Sequence, residues 1–280
     1  MAREREIAAV IWASRVHSLC AELVHDESTT LPSEEMTHLV QQVTTRIRDA
    51  RVHPRLVPST ARVARTGRQP GETGMSRPAS SGLPMGPGDH VCALYSGLDE
   101  LEATLAPYLA GGLAGGDKCV CVVEAEGRTA LLEEIGRHVD VDACIAGGQL
   151  ELFTAAESYL RRGVFSGDEM LEFWTDTLDR SLHQDGFAFV RNTGDTSGVA
   201  DLFDDFDEFA IYEANINRLA AEYPQAVLCL YDLSLVGGGM MLDLLRTHPK
   251  LLLGGLLIEN PHYLTPDEYL ALKQHSRDPD

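Results

Sequence analysis

The chain has 280 residues, 44% of them hydrophobic and 24% charged, with a formal net charge of −20. That length suffices for one large domain or two small ones around a substantial core. No stretch approaches the about 20 uninterrupted apolar residues of a membrane span, and a domain this acidic repels nucleic-acid backbone and anionic lipid alike.

The N-terminal stretch MAREREIAAVIWASRVHSLCAELVHDE carries charges on both flanks and no small-residue cleavage pattern. Neither a signal peptide nor a membrane anchor is expected, and the expected compartment is the cytoplasm. Apolar residues at helical spacing (Ile7, Val10, Ile11, Leu19, Leu23) predict a helix over 4–25. Ser33, ahead of Glu34 and Glu35, can cap a second helix over Met36–Arg48. Two such helices cannot bury both apolar faces alone. Residues 1–50 are therefore expected to form a helical hairpin that makes a homodimer or docks elsewhere. Residues 51–87 carry six arginines and one acid, Glu72, among many Pro, Gly, Ser and Thr. That composition predicts a disordered linker, because little apolar surface is available to offset the entropy of ordering it.

From Gly88 the pattern changes to strands alternating with helices. Strands are predicted at Val91–Tyr95, Lys118–Glu124, Leu150–Phe153, Phe187–Arg191, Ala226–Tyr231 and Leu251–Ile258. Helices are predicted at Glu100–Ala114, Thr129–His138, Asp168–His183, Asp204–Tyr223 and Met240–Arg246. Several strands are apolar on consecutive residues, as in sheets covered by helices on both faces. The expected fold class is α/β: a mainly parallel sheet over residues 88–272, with a tail at 273–280. This part carries 12 basic and 34 acidic residues, so direct nucleic-acid binding by it is not expected.

Ligands of such sheets bind beyond the C-terminal strand ends. The residues that gather there include Tyr95-Ser96-Gly97, Arg191-Asn192-Thr193-Gly194-Asp195 and Tyr231-Asp232, with His248-Pro249 after the last predicted helix. No GxSxG elbow and no HExxH spacing is present. Six cysteines lack CxxC pairs and read as free thiols. His90 and Cys92 share one strand face, and with Cys229 or His248 they could hold a soft metal if the fold gathers them. The commoner outcome for such residues is a buried thiol and a hydrogen-bonded imidazole, so no metal and no cofactor is expected. Arg191 near Asp195, and Glu213 near Asn217, suit either a polar ligand or structural pairing.

Taken in order, these residues resemble one family. The matching segments are His90-Val-Cys92-Ala-Leu-Tyr95, Gly112-Leu-Ala-Gly-Gly116-Asp-Lys-Cys119, Gly148-Gln-Leu150, Tyr159 and Gly163-Val-Phe165. They continue through Gly186-Phe187, Arg191-Asn-Thr-Gly-Asp195, Tyr212-Glu213 with Asn217, Leu228-Cys-Leu-Tyr-Asp232 and His248-Pro249. From His90 to about Tyr269 the chain resembles a MEDS domain, the methanogen/methylotroph, DcmR-type sensory domain. The resemblance implies a fold related to RecA/KaiC-type ATPases and a role in sensing small molecules, with hydrocarbon derivatives as proposed ligands. At the phosphate-loop position this chain reads Ser96-Gly97-Leu98-Asp99-Glu100, with no Lys-Ser/Thr. Three carboxylates (Asp99, Glu100, Glu102) stand there instead, so ATP hydrolysis is not expected.

The expected function is a non-catalytic cytosolic sensor that binds a small molecule and signals through a protein partner. His90, Cys92, Tyr95, Arg191, Asp195, Glu213, Tyr231 and His248 are the expected pocket residues. Two alternatives stay open: a divergent nucleotide-binding or thiol-dependent enzyme built on Cys92 or Cys229, and a ligand-free adaptor. His90 and Tyr95 point to opposite faces of one strand, which argues against a single site holding both.

Overall fold

A computed structural model describes residues 83–197, 206–253 and 255–277, all within a compact unit that starts at Ser80. The expected helical hairpin of residues 1–50, and all but the last five residues of the expected linker, lie outside the described residues. The elements run β1 (Asp89–Tyr95), α1 (Leu98–Ala114), β2 (Lys118–Val122), α2 (Ala125–Gly136), α3 (Val141–Ala146), β3 (Leu150–Phe153) and α4 (Gly167–Asp179). They continue as β4 (Val190–Asp195), α5 (Phe206–Glu222), β5 (Gln225–Asp232), α6 (Gly238–Thr247), β6 (Lys250–Leu253), β7 (Leu256–Glu259) and α7 (Pro266–Arg277).

The strands form one sheet in the order β3-β2-β4-β5-β1-β6-β7. All neighbours are parallel except the antiparallel pair β6 and β7. The expected mainly parallel α/β sheet is what forms. Its central strands β1, β2, β4 and β5 are buried almost throughout, which explains the runs of consecutive apolar residues in β1, β2 and β5. β1 sits between β5 and β6, pairing Asp89–Tyr95 with Ala226–Asp232 residue for residue.

Two differences from the sequence pattern have physical causes. The fourth strand was predicted at Phe187–Arg191 but runs from Val190 to Asp195. Its second half, Asn192-Thr-Gly-Asp195, is polar, yet every residue is buried: Asn192 Nδ2 donates to Gln225 and Asp195 accepts from Tyr95, while Asn192 Oδ1 and Thr193 Oγ1 are left without a hydrogen-bond partner among the described residues. The apolar run Leu251–Ile258 is not one strand but two, β6 and β7, turning back at Gly255, whose φ of 78° suits glycine. In addition, α7 extends to Arg277, past residue 272 where the sheet domain was expected to end.

The two faces of the sheet have different chemistry. Val91, Ala93 and Tyr95 of β1, with Leu228 and Leu230 of β5, pack into the core formed with α1 and α2. The alternate residues of β1 and β5, including His90, Cys92, Cys229 and Tyr231, project to the opposite face, where α5 and α6 lie. On the α1 face, β4 places a buried guanidinium. Arg191 Nε donates to Asp117 Oδ2 at 2.8 Å, its NH1 donates to the Tyr108 carbonyl at 3.1 Å, and the group lies over the Tyr108 ring at 4.8 Å. Both charged residues are under 5% exposed. A Cβ at Gly112 would stand 2.5 Å from Arg191 Cδ and 3.0 Å from Cys119 Sγ, so only glycine lets α1 approach this closely.

Removing one half of a buried ion pair strands the other charge. Asp117→Ala is expected to lower unfolding free energy by about 3–5 kcal/mol, whereas the Asp117→Leu/Arg191→Met double variant should recover most of that loss. Urea unfolding of the three proteins checks the difference.

Candidate functional site

Three separate places in the fold receive the predicted pocket residues. Arg191, pairing with Asp117 rather than Asp195, belongs to the structural arrangement beneath α1. Tyr95 and Asp195 meet at the C-terminal strand ends. His90, Glu213, Tyr231 and His248 converge on the opposite face, joined by Cys229, with Cys92 beside Cys229 across the β1–β5 pairing.

The buried cluster draws on four elements. β1 supplies His90, α5 supplies Glu213, β5 supplies Cys229 and Tyr231, and the residue after α6 supplies His248. Glu213 Oε2 lies 3.2 Å from His90 Nε2, 3.3 Å from His248 Nε2 and 3.6 Å from Cys229 Sγ. His90 Nε2 is also 3.3 Å from Cys229 Sγ, and the two imidazole rings are 4.2 Å apart between centroids. Tyr231 Oη stands 3.4 Å from His248 Nε2. His90 and His248 are fully buried, and Glu213 is 1% exposed.

Outer partners fix the orientation of both rings. Asn217, one turn beyond Glu213 on α5, directs its Nδ2 at the carbonyls of Thr247 (2.7 Å), Ala214 (3.2 Å) and Glu213 (3.3 Å). Its Oδ1 therefore faces His90 Nδ1, at 3.1 Å. His248 folds back over the end of α6, placing Nδ1 2.8 Å from the Leu244 carbonyl. A carbonyl and an amide oxygen only accept, so each Nδ1 must be the protonated nitrogen.

Electrostatics follow from burial. Desolvation alone would raise the Glu213 pKa, but hydrogen bonds and charge from His248 and His90 outweigh it and hold the carboxyl down to about 2. Burial, reinforced by His248, pushes the His90 pKa below its ordinary value against the opposing pull of Glu213. Burial and the Glu213 charge raise the Cys229 and Cys92 thiols well above theirs. His90, Glu213, Cys229 and His248 thus present four potential metal-ligating atoms, all within 4.8 Å of one another. Of the soft-metal donors suggested by the sequence, the fold gathers His90, Cys229 and His248, while Cys92 stays outside the set and Glu213 takes the fourth place.

The second place is a cleft of about 250 Å³ at the strand ends, lined by Leu98, Leu101, Val123, Glu124, Gly127, Asp195 and Ser197. Asp195 Oδ1 accepts from Tyr95 Oη at 2.8 Å and from the Ser197 amide at 3.1 Å, and Oδ2 accepts from Ser197 Oγ at 2.7 Å. Glu124 Oε1 accepts from the Ala155 amide at 2.9 Å. At the neighbouring phosphate-loop position, the Ser96 amide donates to Glu100 Oε2 at 2.8 Å, and α1 begins with Asp99 and Glu100 in its first turn.

Sequence reasoning did not place Cys229 or Asn217 among the expected pocket residues. The i, i+4 spacing of Glu213 and Asn217 was the available signal for Asn217. The parallel register that sets Cys229 beside Cys92 was not predictable from one strand alone. Tyr159 was matched by motif without an assigned role, and its hydroxyl fills the space against Gly194, where a Cβ would lie 2.3 Å away.

Burial raises the Asp195 pKa despite hydrogen bonds from Ser197 and Tyr95. The folded state therefore holds this proton more tightly than the unfolded chain does. Stability linked to it is fully present below the unfolded carboxyl pKa of about 3.9 and is lost as pH rises through the raised folded value. In urea unfolding from pH 3 to 8, Asp195→Asn should gain stability relative to wild type across that window, and the gain should level off above it.

The MEDS family, described as MEthanogen/methylotroph, DcmR Sensory domain, matches residues 89–249. The Transcriptional repressor DcmR of Methylorubrum extorquens is 28% identical over 164 residues, covering 57% of this chain and 58% of that protein. This chain thus spans little more than half the length of that relative. Among solved structures, the flagellar accessory protein FlaH from Methanocaldococcus jannaschii aligns at 9% identity with a TM-score of 0.38, covering 62% of this chain and 76% of its own. No helix among the described residues is long and apolar enough to cross a membrane. The family match covers more than half of the chain and spans β1 through α6, including both the strand-end cleft and the buried cluster, and the chain belongs to the MEDS family.

Proposed function

We propose that this domain is a non-catalytic, cytoplasmic sensor that takes a small molecule in the strand-end cleft and passes the signal to a regulatory protein partner. Membership of a sensory-domain family and likeness to a transcriptional repressor support the regulatory role. The strand-end cleft is the observation that carries the ligand reading. At about 250 Å³ it is smaller than pockets for drug-sized molecules, which run about 300–1,000 Å³. Leu98, Leu101 and Val123 give it an apolar wall, while Asp195 and Glu124 accept hydrogen bonds. A short hydrocarbon derivative with one hydroxyl or amine suits that lining.

The competing nucleotide-hydrolysis reading meets two obstacles at the same end of the sheet. Ser96's amide already donates to Glu100, and each carboxylate about 4 Å from a phosphate charge costs about 1 kcal/mol even in water. A thiol-dependent enzyme needs an accessible thiolate, whereas Cys92 and Cys229 are buried with raised pKa values.

The test is a thermal-shift series on the full chain with short alcohols, amines and alkyl halides. A ligand at 100 times its Kd adds about 2.7 kcal/mol, a rise of roughly 5–10 °C for a domain of this size. Gly127→Leu, which fills the cleft from a position with room for a side chain, should abolish the rise. Equal binding by that variant, or Mg²⁺-dependent ATP hydrolysis lost on substituting Ser96–Glu100, would overturn the proposal.

A further inference from the structure

We infer that His90 Nε2, Glu213 Oε2, Cys229 Sγ and His248 Nε2 form a closed four-coordinate site for a borderline-soft divalent cation, with Zn²⁺ the preferred occupant. Tetrahedral zinc with bonds of about 2.0–2.3 Å sets its ligand atoms about 3.3–3.8 Å apart. Four of the six donor separations in the cluster are 3.2, 3.3, 3.3 and 3.6 Å. These four match a coordination shell, and all six separations lie within 4.8 Å, so a bound ion needs only a small further inward movement of the donors.

Proton placement points the same way. Asn217 Oδ1 and the Leu244 carbonyl each hold a protonated Nδ1, so in the neutral rings both Nε2 lone pairs aim at the Glu213 carboxylate. The neutral donors in reach make only long contacts (Tyr231 Oη at 3.4 Å from His248 Nε2, Cys229 Sγ at 3.6 Å from Glu213 Oε2), so a cation offsets the mutual repulsion of two lone pairs and an anion in a dry interior far better. Doubly protonating both rings is a second metal-free arrangement, and it buries two imidazolium ions. An Nδ1–H bonded to an oxygen acceptor is also how ligating imidazoles are ordinarily held.

The charge balance is complete. A divalent cation accepts both Nε2 lone pairs and the existing carboxylate, and it displaces one proton from the Cys229 thiol to solvent. The ion, the carboxylate and the resulting thiolate sum to zero, so the buried site is neutral. All four positions come from protein, which marks a structural site rather than a catalytic one with an open position. The ion would tie α5 and the end of α6 to β1 and β5. This inference is independent of the ligand assigned to the strand-end cleft.

The experiment uses the full chain, stripped with chelator and titrated with Zn²⁺ and Co²⁺. One equivalent should bind and release about one proton per ion. The cobalt form should show intense ligand-field bands with a thiolate charge-transfer band. X-ray absorption of the zinc form should give one sulfur at about 2.3 Å and three lighter atoms at about 2.0 Å. Cys229→Ser should remove the charge-transfer band, and Asn217→Ala, through loss of ring orientation, should weaken binding about 10–100-fold. The Cys20→Ser/Cys144→Ser control should retain every signal. No uptake by a natively folded chain, an ion without sulfur in its shell, or a charge-transfer band persisting in Cys229→Ser would each overturn the inference. The absorption measurement needs only wild-type protein, so it holds even where a variant fails to fold.

Discussion

Glu213 carries the constraint on which the α5 face of the sheet is built. An ionised carboxylate without solvent is costly unless every direction around it offers compensation. Here two imidazoles from different elements close on it, placed to share a cation or a proton with it, and each imidazole has its own acceptor behind it. Asn217 and the last turn of α6 provide those acceptors, so the spacing of α5 against β1 and against α6 is fixed by polar geometry. An apolar contact in the same place would tolerate sliding; this one does not.

β1 divides the chemistry of the domain. Its alternate residues send His90 to the α5 face and Tyr95 to the α1 side, where Tyr95 meets Asp195 beside the strand-end cleft. One face holds donors matched to a small hard-edged shell, and the other end opens on a mixed apolar and acidic wall. Arg191 takes part in neither. It serves the packing of α1, whose Gly112 admits it.

Much of the sheet was legible in the sequence because central parallel strands must be apolar on consecutive residues, as in Lys118–Val123 and Ala226–Tyr231. Where a strand is polar, that signal fails. Asn192-Thr-Gly-Asp195 looks like a loop, yet it is buried strand, with Gln225 and Tyr95 reaching Asn192 and Asp195 from distant parts of the chain and Ser197 bonding Asp195 locally. The candidate site was partly legible for the same reason. Alternation alone predicts that His90 and Tyr95 part company, and helical spacing alone links Glu213 to Asn217. That Cys229 meets His90 depends on which strand lies beside β1, and His248 enters only through the fold-back at the end of α6. Long-range pairing of this kind leaves no local trace.

The position of β1 also governs when the structure can be completed during synthesis. It is the first strand among the described residues, yet both of its neighbours, β5 and β6, come more than 120 residues later. His90 and Cys229 are separated by 139 residues. A nascent chain can pair β2 with β3 and then β4, but the middle of the sheet stays open until β5 has emerged. Closing so long a loop is slow and is rewarded only at the last step. His248 follows later still, so the buried cluster forms only when the sheet does, and a chain cut short before that residue carries three-quarters of the donors and none of the enclosure.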